Sequence, residues 1–125
     1  METESKTIKL LLDADPRLAA AVGGVARYLA DAAGIENDAI AQLQAAVVTA
    51  CNEAFQLLTP AHPKLTATIT RLSDRIEVVL SCEGANAPGQ NTMSLGGVDK
   101  VQHETQGNAI ITRLTKFINQ GAPSR

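Results

Sequence analysis

The chain has 125 residues, 45% of them apolar, 19% charged and 2% aromatic, with a net charge of −2. One domain of this size buries roughly two thirds of its unfolded surface without staples, and with so few aromatics its core must come from Leu, Ile, Val and Ala. Scarce aromatics argue against base-stacking platforms, and the lack of a dense Lys/Arg run argues against a nucleic-acid face, so no direct nucleic-acid contact is expected.

No apolar run approaches the roughly 20 residues that span a bilayer, and Met1–Lys6 is polar without an apolar signal core, so no membrane role is expected. The two cysteines, Cys51 and Cys82, lie in apolar periodic segments outside any C-x-x-C pair. They read as reduced core residues of a cytoplasmic protein.

Thr7–Leu12 reads as a first strand with Ile8, Leu10 and Leu12 on one face. Asp15 suits an N-cap and Pro16 the first helical position. Leu18, Val22, Val25 and Leu29 then repeat at helical spacing, and Gly34 closes the helix. Gly23 and Gly24 weaken its middle by roughly 1 kcal/mol each relative to Ala, or else allow a close helix–sheet approach.

A second helix is read from Asn37, as its cap, to about Leu58, with Pro60 and Pro63 ending it. Ile40, Leu43, Val47, Cys51, Ala54 and Leu58 form its apolar stripe. Gln42, Thr49, Asn52, Glu53 and Gln56 run opposite, with Thr49 and Glu53 stacked one turn apart.

Leu65–Leu72, the turn Ser73-Asp74 and Arg75–Cys82 make a hairpin, with Ile76, Val78, Leu80 and Cys82 on the buried face. Glu83–Thr105, with Gly84, Pro88, Gly89, Gly96 and Gly97, reads as a long lid-like loop of the functional kind. Gly107 and Asn108 are expected to open a last helix bearing Ile110, Ile111, Leu114, Phe117 and Ile118, followed by a frayed tail from Gln120. The expected architecture is an α/β two-layer sandwich, helices on one face of a mixed sheet.

Three short runs carry candidate chemistry: Thr49-Ala50-Cys51-Asn52-Glu53-Ala54, Cys82-Glu83-Gly84-Ala85-Asn86, and Thr105-Gln106-Gly107-Asn108-Ala109 before Ile110. In order and position, across roughly Thr7–Phe117, they resemble the motifs of the anti-sigma-factor serine kinases, part of the GHKL group of ATP-binding domains. The resemblance implies a GHKL/Bergerat-type fold and an ATP site with Mg²⁺.

Thr49 stands at the family's general-base position and Glu53 at its magnesium position. A threonine hydroxyl is no base near neutral pH. Glu53 can bind a hard cation, yet it opposes phosphate. Cys82 replaces the aspartate that accepts the adenine amino group, and a thiol is a weak acceptor. Gly84 is kept, Asn86 replaces a glycine, and Gly107 matches a phosphate-loop glycine beside a helix N-terminus. The alternative for each run is structural: a solvated helix face, a Gly/Pro loop, an ordinary helix start.

The family continues into two more strands, so the expected sheet is truncated unless part of Thr92–Val101 adds one. A truncated sheet exposes an edge or a face, which invites a homodimer or a partner.

The resemblance therefore implies a regulatory protein of the anti-sigma type that binds a sigma factor or an anti-sigma antagonist, with no catalytic residue and no required cofactor. Residual nucleotide contacts fall to Thr49, Asn52, Glu53, Gly84, Asn86 and Gly107, with Glu53 as the metal ligand. The alternatives are an active ATP- and Mg-dependent serine kinase and a structural dimerisation module.

Overall fold

The structure is a computed structural model, and it describes residues 5–83 and 98–118. The elements run β1 (Lys6–Asp13), α1 (Pro16–Ala32), α2 (Asn37–Phe55), β2 (Lys64–Arg71), β3 (Arg75–Glu83), β4 (Lys100–Gln106) and β5 (Ala109–Phe117). The strands form one sheet in the order β1-β2-β3-β5-β4, and every neighbouring pair is antiparallel. The chain is thus a mixed α+β protein. The expected mixed sheet is corrected, because no βαβ crossover exists among the described residues to bring two strands parallel.

The first helix follows its sequence signals. Asp15 accepts from the Arg17 N–H, and Pro16 occupies the first turn. At the other end Gly34 adopts φ +83°. The Ile35 N–H reaches the Ala30 carbonyl and the Gly34 N–H the Asp31 carbonyl, both at 3.1 Å, which is a Schellman closure.

Helix α2 departs in two details. Its N-cap is Glu36, without a side-chain cap bond, and Asn37 is already helical. It ends at Phe55 rather than Leu58, tightening through Gln56, Leu57 and Leu58, whose N–H groups each bond three residues back. The expected stripe from Ile40 to Ala54 is buried.

Both helices lie on one face of the sheet, α1 over β1, β2 and β3, and α2 over β3 and β5. The core between the layers holds Val22, Leu29, Leu43, Val47, Cys51, Leu65, Ile69, Ile76, Val78, Leu80, Cys82 and Leu114. Fully burying each Leu, Ile or Val contributes about 1.5–3 kcal/mol.

Gly23 sits at the helix–helix contact, not at a helix–sheet contact. A Cβ there would stand 2.7 Å from Val48 Cγ2 and 3.2 Å from both Gln44 Cγ and the Gln44 carbonyl oxygen. The opposite face of the sheet carries an ion-pair ladder across three strands: Arg75–Glu77 at 2.9 Å, Glu77–Arg113 at 3.6 Å and Arg113–Glu104 at 3.4 Å.

The expected last helix is a strand. Residues 106–109 make a two-residue turn that joins β4 to β5, with Gly107 at φ +59° and Asn108 at negative φ, the sign pattern of a type II′ hairpin. Ile110, Ile111, Leu114, Phe117 and Ile118 have helical spacing because β5 is buried on both faces. Ile110, Thr112 and Leu114 face the helices, while Ile111 and Thr115 are buried on the other side. The sheet therefore ends in a hairpin rather than being truncated. The expected 83–105 loop is also shortened, since Lys100–Gln106 is strand.

Candidate functional site

Helix α2 presents two flanks beside its buried stripe. Val48 and Gln44 mark the side against α1, where Gly23 approaches. At about 100° per residue, the flank turned from α1 carries Gln42, Thr49 and Glu53, all exposed, with Ala46 buried at its foot. Because α2 packs over β3 and β5, this flank looks toward the β5–β4 side of the sheet. Among the described residues neither helix packs on β4 as closely as α2 packs on β3 and β5.

The sheet positions on that side are Ile110, Thr112 and Leu114 of β5 and Val101, His103 and Thr105 of β4, placed by the register His103↔Thr112. Thr112 is buried, and its Oγ1 lies 3.2 Å from His103 Nδ1. The result is a ledge: a polar row on α2 beside a strip of apolar and hydroxyl side chains.

Of the residues expected from sequence, the fold brings Thr49 and Glu53 onto this one flank, a turn apart. Asn52 is half-buried and rotated from Glu53 toward the helix's outer side. Gly107 stands in the β4–β5 turn, at the end of the sheet that also holds Cys82 and the last turn of α2. It begins no helix, so the expected helix N-terminus for phosphate is absent there. Gly84 and Asn86 lie outside the described residues, as do residues 1–4, the tail from Gln120 and most of the expected lid.

Cys82, expected from sequence to replace an adenine-holding aspartate, has its side chain committed elsewhere. Its thiol donates to the Ala54 carbonyl at 3.4 Å, in the last turn of α2, an oxygen that also accepts from the Leu57 N–H at 2.9 Å. Burial pushes this thiol up to about 11. Cys51 is pushed up to about 12, first by burial and then by the neighbouring Cys82. Both remain neutral thiols near pH 7, inert as nucleophiles.

The electrostatics of α2 disfavour a polyphosphate. The helix has no Lys, Arg or His, and its charges are Asp38 and Glu53. A magnesium ion takes about six oxygens, some from carboxylates and the rest from waters or phosphates. Among the described residues no group of three His, Cys, Asp or Glu side chains converges on one point, so Glu53 stands as a single carboxylate.

Sequence reading overlooked the His103–Thr112 pair. The signal that could have found it is Gly107-Asn108 between two runs rich in Ile, Thr and Val, a two-residue hairpin pattern that sets this register. No helix among the described residues is long and apolar enough to cross a membrane. Comparison with protein-family models and with curated proteins finds no match to this chain.

Proposed function

We propose that this chain is a regulatory protein that acts by binding another protein, on a scaffold of the GHKL type whose grip on nucleotide has been lost. The order strand, helix, helix, hairpin, followed by a second hairpin on the same sheet, supports the scaffold. The observation that carries the loss of nucleotide is Cys82. A buried neutral thiol bonded to the Ala54 carbonyl stands where a free carboxylate would receive the adenine amino group.

With Thr49 in place of a base and no cation along α2, this helix supplies neither a group for phosphoryl transfer nor one that neutralises phosphate. What remains is the ledge itself, polar along Gln42, Thr49 and Glu53. Such a surface suits a protein partner, and the resemblance points to a sigma factor or an anti-sigma antagonist.

Calorimetric and thermal-shift titration with Mg-ATP tests the reading. A ligand that binds only the folded state raises its melting temperature by mass action. No heat and no shift are expected up to millimolar nucleotide. Micromolar binding that Glu53→Ala abolishes would establish the kinase reading instead. Co-purification with a sigma factor or its antagonist, weakened by charge reversal at Glu53, is the positive result.

A further inference from the structure

The acids of α2 stand apart from the other carboxylates of the molecule. Asp13 meets Lys64 at 2.6 Å, Asp15 meets Arg17 at 2.9 Å and Glu104 meets Arg113 at 3.4 Å. Asp38 and Glu53 pair with no described residue, and α2 itself has no Lys, Arg or His.

Helical arithmetic sets these two acids in one row. From Asp38 to Glu53 the helix climbs about 22 Å and turns through a net angle of only about 60°. Gln42 and Thr49 fall within that arc, and all four side chains are exposed. The ledge is thus acidic at both ends and lined between them by neutral hydrogen-bonding groups.

The two acids differ in what they do for α2. Asp38 lies in the first turn, where the helix dipole favours a negative charge. Glu53 lies in the last turn, where the dipole opposes it and no basic residue offsets it. Helix stability therefore accounts for Asp38 and leaves Glu53 unexplained. A cation supplied from outside the chain accounts for Glu53 as well.

We propose that the ledge takes a basic amphipathic helix of a partner protein, with two cations about four turns apart that meet Asp38 and Glu53. The inference rests on the reading that the ledge is a protein-docking surface, and it names the partner's chemistry. A row set along a helix axis is matched over its whole length by a second helix at a spacing of about 8–10 Å. Laid beside α2 on the side away from α1, that helix extends the helix layer toward β4. Its apolar side meets the strip that holds Val101, which is half-buried against the core. Opposite charges at the two ends fix its register and speed its capture.

The spacing of the cations gives the test its specificity. The full chain is titrated into two fluorescein-labelled helical peptides of about 20 residues, equal in composition and each with one apolar face. In the first, two arginines beside that face stand about four turns apart; in the second they stand about two turns apart. Fluorescence anisotropy at low salt should show the first bound about tenfold more tightly, with the advantage lost at high salt. Glu53→Gln and Asp38→Asn should each bring the first peptide toward the affinity of the second, with circular dichroism unchanged. Exchanging one arginine of the first peptide for glutamate should restore its binding to Glu53→Lys.

Equal affinity for the two peptides overturns the inference, as does an affinity that neither variant alters. Tighter binding of an extended basic peptide than of the helical one overturns it too. If both peptides fail while a sigma factor or its antagonist still loses affinity on charge reversal at Glu53, the basic-helix chemistry falls and the docking role of the ledge stands. Micromolar Mg-ATP binding that Glu53→Ala abolishes removes the docking role and the inference with it.

Discussion

Neighbouring glycines in α1 should respond to the same substitution with opposite signs. Gly23→Ala gains about 1 kcal/mol of helix propensity. Against this, its Cβ would stand 2.7 Å from Val48 Cγ2 and 3.2 Å from the backbone oxygen of Gln44. Val48 is stiff at χ1, and a carbonyl cannot rotate away, so the helices must part. Over-packing of this kind costs about 1–3 kcal/mol. The steric term wins, and Gly23→Ala should lose up to about 2 kcal/mol net.

Gly24 has nothing within 4 Å of its would-be Cβ and no positive φ. Gly24→Ala should therefore gain about 0.5–1 kcal/mol, mostly through the unfolded chain. Urea denaturation of both variants measures the difference, with m unchanged; in a domain of this size each 1 kcal/mol moves Tm by about 4 °C. Val48→Ala should cost less in the Gly23→Ala background than in the wild type. A Gly23→Ala chain at least as stable as Gly24→Ala would refute the close helix–helix contact.

Three further outcomes follow from the geometry. Gly107→Ala places a Cβ at φ +59° and should cost about 1–2 kcal/mol in denaturation, whereas a helix start at the same place would gain from it. The two buried thiols make stability fall in alkali. Their contribution is complete below the unfolded thiol pKa near 9 and is lost as pH rises toward about 11 for Cys82 and about 12 for Cys51, at about 1.4 kcal/mol per pH unit each. A Cys51→Ala/Cys82→Ala chain should show a flatter slope over that window, and an equal slope in both chains counts against thiol burial as its cause. Asp15→Ala should lower Tm more than Arg17→Ala, because the cap bond to the Arg17 N–H is lost only in the first and the exposed ion pair in both.

The first two thirds of the fold were legible because each element has one wet side. In α2 the buried residues recur every three to four positions and in β3 every two, so the period declares the element. Asp15, Pro16 and Gly34 added end signals with a local cause. The period misled at β5, where Ile110, Ile111, Thr112, Leu114 and Thr115 are buried on both faces and alternation vanishes. Spacing alone then fits a helix, while the β-branched content and the Gly107-Asn108 turn favour a strand.

The site was legible only as far as α2. Thr49 and Glu53 share a flank by helical arithmetic, whereas the partnership of His103 with Thr112 depends on a hairpin register that a helical reading removes. Cys82 was legible as a reduced core thiol. Its hydrogen bond to Ala54 joins β3 to the last turn of α2, a contact between elements 28 residues apart that no local pattern announces.

The molecule is polarised along the sheet. At the β1 end both layers show apolar side chains, Leu11 below and Val25 and Tyr28 above. At the β4 end both show polar ones, Glu104 and Gln102 below and Thr49 and Glu53 above. The two ends can accordingly be told apart by mutation. A partner at the ledge should bind one per chain and be weakened by charge reversal at Glu53, whereas Leu11→Lys at the far edge should leave its affinity unchanged. A partner weakened by Leu11→Lys and indifferent to Glu53 would instead place its binding site at β1, and the ledge would then have no role in recognition.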